Sequence, residues 1–596
     1  MIAQRLLVLI AAFLVLASSA PPGLADTAQQ KNPAQRDQDN WSTYGHDFNN
    51  QRYSELSAIN TGNVAKLAPA WILQTGILGT FPTNPLVVDG VMYLTTPFNH
   101  VIALDAASGA VKWRYTHQAQ TEKLCCGSHN RGLAWGNGRL FMITADARLI
   151  ALDASNGKLV WDIPVVDPMS GDPADLAAIT HYDPADHAAF DRATRFAGNM
   201  APVVYEGRVF VGVSGTGYSA VLADAEHNSA SVLGKAGVRD GLRAFLSAYS
   251  VTDGQLLWRW YSTAAQGWEG DFVAKTAFGD PLPRDLVAER ATAAQYRDAW
   301  KTGGGSIYST PSIDAAQGLI YFGTGNASPG YEDDKRPGDN LYTSSLIALD
   351  IATGKLRWHH QLVPHDLWGY DAASPPVLID LKRPGQAPIP ALAAASKSGW
   401  MYVLNRLTGA PLRRSEAFVP QDTTMFRRAT AAGIDVRPGA GGGANWPPSA
   451  YSPQTGLTYV PASDAPTHYQ LEKNAAGKTV TVLSFKDEVK RAGTLSAIDP
   501  RDGKIKWQLQ SDLPLMSGAL ATAGGLVFAG ESNGDFIAVD AHSGQRLWRF
   551  ATGAGVNAPA ITYRVGGRQY VAVAAGGHAL FKFPLGDTVI AFALPK

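Results

Sequence analysis

An all-β, eight-bladed β-propeller is the fold the sequence predicts, and two observations predict it. One is a phrase of about eleven residues, ending in tryptophan, that recurs along the chain. The other is the spacing of its copies, about 40–55 residues or multiples of that. Short paired strands repeating at such a period are what four-stranded blades produce.

The copies are ALDAASGAVKW ending at Trp113, ALDASNGKLVW at Trp161, AYSVTDGQLLW at Trp258, ALDIATGKLRW at Trp358, AIDPRDGKIKW at Trp507 and AVDAHSGQRLW at Trp548. VLNRLTGAPLR, ending at Arg413, is a degenerate copy. Each full copy reads as a short apolar strand, an Asp (Ser250 in the third), a turn closing on Gly, and a second strand ending in Trp. The turn glycines, Gly109, Gly157, Gly254, Gly354, Gly503 and Gly544, stand where a hairpin wants positive φ. The phrase tryptophans are expected to pack between neighbouring blades. Roughly 550 residues from Trp41 to Lys596 divide into about eight such units with insertions.

The segment before the first copy, NWSTYGHDFNNQRYSELSAINTGNV, is expected to supply a strand that closes the ring with the C-terminus and removes exposed sheet edges. Two longer insertions, 222–243 and 278–301, are expected on the top face as walls of a site. The second contains the helix-like LVAERATAAQYRDAWK. At the N-terminus, Arg5, an apolar run from Leu6 to Leu16 and small residues up to Ala25 read as a secretory signal over 1–25. A flexible segment over 26–40 and a single propeller domain over 41–596 follow. No other segment approaches the roughly 18 apolar residues of a spanning helix. The expected product is exported into an oxidising space without stable membrane insertion, a retained membrane anchor being the alternative.

Charge narrows the function classes. With 51 Lys and Arg against 51 Asp and Glu, no net basic field draws in phosphate backbones, so nucleic acid is not an expected partner. The cysteines raise a sharper question. The chain has two, Cys125 and Cys126, adjacent in LCCGSHNRG. Consecutive Cα atoms lie about 3.8 Å apart, below the roughly 4.4–6.8 Å of ordinary disulfides. A bond between them would close a strained ring and staple no distant segments. Two buried thiols and half of a metal site stay open as alternatives, although no CxxC-type spacing is present.

The Trp-ending phrase resembles the tryptophan docking motif of the quinoprotein alcohol dehydrogenases, eight-bladed propellers that bind pyrroloquinoline quinone (PQQ) and a metal ion. The resemblance runs from about Trp41 to Lys596. It implies a vicinal Cys125–Cys126 disulfide lying against one face of the quinone, and Arg131, from CC-x4-RG, beside a quinone oxygen or carboxylate. GGGSIYSTPSIDAAQGLIYFGTGN resembles the segment carrying the opposite stacking residue, here Tyr308 where Trp is common, and a metal-binding Asn, here Asn326. KSGWMYVLNRLTG implies Lys397 as the residue contacting the quinone oxygens. GGANWPPSAYSP implies a polar contact from Asn445 and a wall from Trp446. SGTG resembles the loop whose hydroxyl and amides hold a PQQ carboxylate, which implicates Ser214, Gly215 and Thr216.

Two departures stand out. The fourth position of the SGTG loop, normally a Glu metal ligand, is Gly217. In PHDLWGYDAASPP the position of the usual catalytic Asp is Gly369, and the next acid is Asp371. Some members, notably lanthanide users, place an additional metal ligand at the Asp371 position. The resemblance therefore implies Asn326 and Asp371 as metal ligands for calcium or a lanthanide, with Asp371 also the expected catalytic base. In an extended segment, alternation would put position 371 on the same side as 369. Glu226 and Asp366 are the next acids to consider. The expected activity is PQQ-dependent oxidation of an alcohol or sugar hydroxyl, with electrons passed to an external acceptor such as a cytochrome c or a quinone. The chain has no CxxCH haem site of its own. A propeller without PQQ, acting as a hydrolase or as a non-catalytic binding scaffold, is the alternative.

Overall fold

The computed structural model describes residues 38–118, 123–124, 129–165, 197–215, 220–221, 241–473, 477–485, 490–579 and 581–595. Among them the strands form eight sheets of four or five strands, together with one three-stranded and one two-stranded sheet. The architecture is all-β and of propeller type. No helix among the described residues is long and apolar enough to cross a membrane.

The recurring phrase explains how the sheets form and how they join. In the fourth copy, Ser345–Asp350 pairs antiparallel with Leu356–Gln361. The Asp350 carboxylate accepts hydrogen bonds from the Thr353 amide (2.9 Å) and hydroxyl (2.8 Å), which fixes the turn. Gly354 closes it at φ +68°, and a Cβ there would lie 2.5 Å from the Trp258 ring. The Trp258 indole N–H donates to the Ile351 carbonyl at 2.9 Å. One phrase's tryptophan thus roofs the next phrase's turn. Trp113 stands in the same relation to Gly157 and the Ala154 carbonyl (3.2 Å), and Trp507 to Gly544 and the Ala541 carbonyl (3.1 Å). At the degenerate copy the series breaks: Gly503 faces the Arg414 backbone instead of an indole. Trp548 reaches back to the Leu67 carbonyl near the chain's start, at 2.9 Å. Trp71 covers Gly109 in the same way without any phrase of its own, so the repeat did not reveal it.

The strand that meets the C-terminus is Ala68–Gln74, antiparallel to Thr588–Ala593 and beginning just past the segment expected to supply it. That earlier segment supplies a two-residue strand, Tyr53–Ser54, parallel to Leu520–Thr522, and the stretch before it crosses several sheets. Its carbonyls accept from four sheets in succession: Phe48 from Ile313 (2.8 Å), Asn49 from Leu378 (2.9 Å), Gln51 from Tyr451 (2.8 Å) and Arg52 from Ala521 (3.0 Å). The buried Arg52 guanidinium adds bonds to the Ala519, Tyr44 and Ala560 carbonyls and to Asn84 Oδ1. An irregular stretch therefore laces the inner strands together.

The insertion over 278–301 does contain a helix, Leu286–Thr292, capped by the Asp285 carboxylate, which accepts from the Ala288 amide at 3.0 Å. Arg284 ties it to Glu289 (2.6 Å) and Asp339 (2.5 Å), and the Asp339 carbonyl accepts from the His365 amide (3.1 Å). The helix is thereby fastened beside the stretch leading to Asp371. Of the insertion over 222–243, residues 222–240 lie outside the described residues.

Candidate active site

The candidate residues sit where the sheets begin or turn. Arg131 precedes strand Ala134–Gly136, Tyr308 precedes Ser312–Asp314, Asp371 precedes Val377–Arg383 and Asn445 precedes Ala450–Ser452. Those are the first strands of four sheets. Ser214 follows Arg208–Gly212, Asn326 follows Leu319–Gly323, and Lys397 follows Gln386–Ala395, all second strands. In an antiparallel sheet the start of one strand and the end of its neighbour lie at the same edge. Residues hundreds of positions apart are brought to one end of the molecule.

Asp371 is the hub. Its Oδ2 accepts from the Lys397 ammonium at 2.6 Å and from the Tyr308 hydroxyl at 2.6 Å, and its Oδ1 accepts from the Asn326 amide at 2.6 Å. The carboxylate is buried. Asn326 turns its side-chain amide onto the Ala327 carbonyl (2.7 Å). Gly443, at φ +62°, allows the chain leading to Asn445 to pass against Lys397; a Cβ there would lie 2.2 Å from the Lys397 carbonyl. Asn445 is buried, and its Oδ1 accepts from the Trp446 amide at 3.0 Å.

Arg131 lies between two rings, its guanidinium 5.5 Å from the Tyr308 centroid and 5.1 Å from that of Trp446. It donates to Asn199 Oδ1 at 2.6 Å and to the Tyr308 carbonyl at 3.4 Å, both neutral acceptors. Burial pushes its pKa down to about 10. Among the described residues, its Nε and the Trp446 Nε1 are buried without a hydrogen-bond partner. His578 stacks on Trp446 (centroids 5.4 Å apart), and burial followed by the Arg131 charge pushes its pKa down to about 3. The Gly215 amide donates to Ser306 Oγ (3.1 Å), and the Ser306 carbonyl accepts from Gly325, beside Asn326. A Cβ on Gly215 would lie 2.5 Å from the Leu242 carbonyl, so only glycine fits.

Arg131, Tyr308, Asp371, Lys397 and Asn326 thus form one linked group, with Trp446 against Arg131 and Asn445 against Lys397. Ser214 and Gly215 join it through Ser306. Cys125, Cys126, Thr216, Gly217 and Glu226 lie outside the described residues. Two expectations need correction. Gly369 is not in an extended segment: its φ is +78°, and a Cβ there would meet Tyr331 Oη and Ala440 Cβ, each at 3.4 Å. Alternation therefore does not relate 369 to 371. Asp366 is not a spare acid either. It is buried, accepting from Ser344 Oγ and from the amides of Trp368, Gly369 and Tyr370, and so it builds the turn. Sequence reasoning missed Asn199 and His578, around which no motif spacing stands out.

A cofactor can be judged against these groups. A buried guanidinium held only by neutral acceptors, with unmatched donors on Arg131 and Trp446, fits a planar, anionic ligand rich in acceptors. PQQ, a quinone bearing carboxylates, is such a ligand. For a metal ion the site would offer the Asp371 carboxylate and the Asn326 side-chain oxygen, and among the described residues no group of three or more His, Cys, Asp or Glu could hold one.

Residues 41–430 and 488–571 match the PQQ family model described as the glucose/ethanol/alcohol dehydrogenase β-propeller domain. The chain belongs to that family of PQQ-dependent dehydrogenases. Among its relatives, a quinohemoprotein alcohol dehydrogenase from Comamonas testosteroni is 33% identical over 573 residues, 90% of this chain and 72% of that protein. A lanthanide-dependent methanol dehydrogenase from Methylacidiphilum fumariolicum (strain SolV) is 32% identical over 579 residues, 92% of this chain and 85% of that protein. The crystal structure of the Comamonas enzyme superposes with a TM-score of 0.73 at 31% identity, covering 93% of this chain and 80% of that one. A europium-containing methanol dehydrogenase gives 0.72 at 28% identity, covering 94% and 99%.

Proposed function

We propose that this protein is a periplasmic PQQ-dependent oxidoreductase that converts an alcohol or sugar hydroxyl to the carbonyl and passes the electrons to an external acceptor, a cytochrome c or a quinone. It would be exported by residues 1–25 and act as one domain over 41–596, eight blades joined by their docking tryptophans. The observation that carries the reading is Arg131, a buried cation with no acidic partner among the described residues, lying between Tyr308 and Trp446.

PQQ supplies the hydride acceptor when bound. This chain's residues do the rest. Arg131 binds a carboxylate or quinone oxygen with a fixed positive charge. Tyr308 and the Cys125–Cys126 pair would hold the planar cofactor by stacking. Lys397 sets an ammonium against quinone oxygens. Asn445, Ser214, Gly215 and Thr216 supply polar contacts, and Trp446 closes a wall. Asp371 takes the alcohol proton and, with Asn326, offers oxygens to calcium or a lanthanide. With Gly at 369, one carboxylate serves two purposes, and turnover should be slow.

The test is reconstitution. The exported protein, given PQQ with calcium or a lanthanide, should show bound-cofactor absorbance and alcohol-dependent dye reduction. Failure to retain PQQ at any metal concentration would contradict the proposal.

A further inference from the structure

Among the described residues of the linked group, Lys397 is the cation in contact with Asp371, at 2.6 Å. Each carboxylate oxygen has two lone pairs. Asp371 Oδ2 spends both, one on the Lys397 ammonium and one on the Tyr308 hydroxyl, while Oδ1 spends one on the Asn326 amide. The carboxylate charge is already met. We propose that Lys397 and the metal ion are alternative occupants of Asp371, so that a cation enters only when Lys397 leaves.

The physical reason is charge. A carboxylate in contact with an ammonium forms a nearly neutral pair that offers little attraction to an arriving cation. The ammonium's repulsion grows with the cation's charge as fast as the carboxylate's attraction does. Asp366, the other acid nearby, is spent on Ser344 and three backbone amides and cannot compensate. Lys397 is able to move: its stem is flexible, and its side chain keeps 12% of its surface exposed. What draws it off is an acceptor elsewhere. If the proposed function is right, that acceptor is a quinone oxygen, and each of PQQ and the cation must tighten the other's binding by the same factor.

The experiment uses the full mature protein without PQQ and terbium as the cation, its luminescence sensitised by the nearby aromatic rings. Lys397→Met should bind terbium at least about tenfold more tightly than wild type, within the range such couplings span. Asp371→Asn should lose the signal in both backgrounds. Lys397→Gln, neutral but still able to donate to Asp371, serves if the Met variant does not fold, and should also bind more tightly than wild type. In a calorimetric arm, PQQ should tighten terbium binding to wild type and have much less effect on Lys397→Met. Equal terbium affinity in wild type and both Lys397 variants would overturn the proposal, as would emission that survives Asp371→Asn. If Lys397→Met binds more tightly but PQQ leaves wild type unchanged, the competition stands and the assignment of Lys397 to a quinone oxygen falls.

Discussion

Gly369 and Asp371 decide what single substitutions can do. A side chain at 369 would start from φ +78° and point toward Tyr331 and Ala440. Gly369→Asp should therefore cost about 1 kcal/mol or more of stability and leave PQQ-dependent dye reduction no higher than wild type. Asp371→Ala should lower dye reduction at least about a hundredfold, the usual scale for removing a positioned base. Thermal unfolding and a dye assay on both variants check this; a faster Gly369→Asp enzyme would show that the side chain reaches the site. The site group was readable in sequence where motif context surrounded it, as with Arg131, Tyr308, Asn326, Lys397 and Asp371. Asn199 and His578 were not readable, because their contacts arise only when distant sheets meet. The turn at Gly369 was missed for another reason. It is imposed by Asp366 accepting from three successive amides, with Gly369 at positive φ, an Asp-to-Gly turn that the family pattern, with Asp at that position, did not suggest.

The hairpin phrase is the element that builds the molecule, and its glycine is the sensitive position. At Gly157 a Cβ would lie 2.5 Å from the Trp113 ring, on a backbone at φ +73°. Gly157→Ala therefore carries both a conformational and a steric penalty, about 2 kcal/mol together. The same change at Gly138, also a turn glycine at positive φ but with nothing within 4 Å, should carry only the conformational part. Chemical denaturation of the two variants separates the costs; equal losses would mean the indole yields freely. The period and the hairpins were legible because each copy repeats the same local chemistry. The lacing segment before Ala68 was not, since its backbone carbonyls and its Arg52 and Asn50 side chains find their partners on sheets hundreds of residues away.

Across the whole molecule, buried ionisable groups set the response to acid. Burial pushes the pKa of His46 and His360 down to about 4 and that of His578 to about 3. The unfolded chain then takes up protons first as the pH falls below about 6.5, so these histidines cost stability from there downward. Asp47 and Asp366 act in the opposite sense: burial raises each to about 6, and the folded state gains from their protonation as the pH falls toward 4. Burial lowers His100, His359 and His365 as well and raises Glu531, so the histidines outnumber the acids and stability falls as the pH drops from about 6.5 toward 5. The melting temperature should fall between pH 7 and pH 5, and less steeply in His578→Phe, which keeps the ring against Trp446. A pH-independent melting temperature would contradict this balance.

On the proposed function, Arg131 is where an anionic quinone binds. The most direct measurement is a spectrophotometric titration of PQQ into wild type and Arg131→Met, with the fold of each confirmed by its melting temperature. Losing charged hydrogen bonds of this kind costs about 1.5–3 kcal/mol, so the variant should bind PQQ roughly ten- to a hundredfold more weakly. Equal affinity in the two proteins, or no binding to wild type at all, would contradict it.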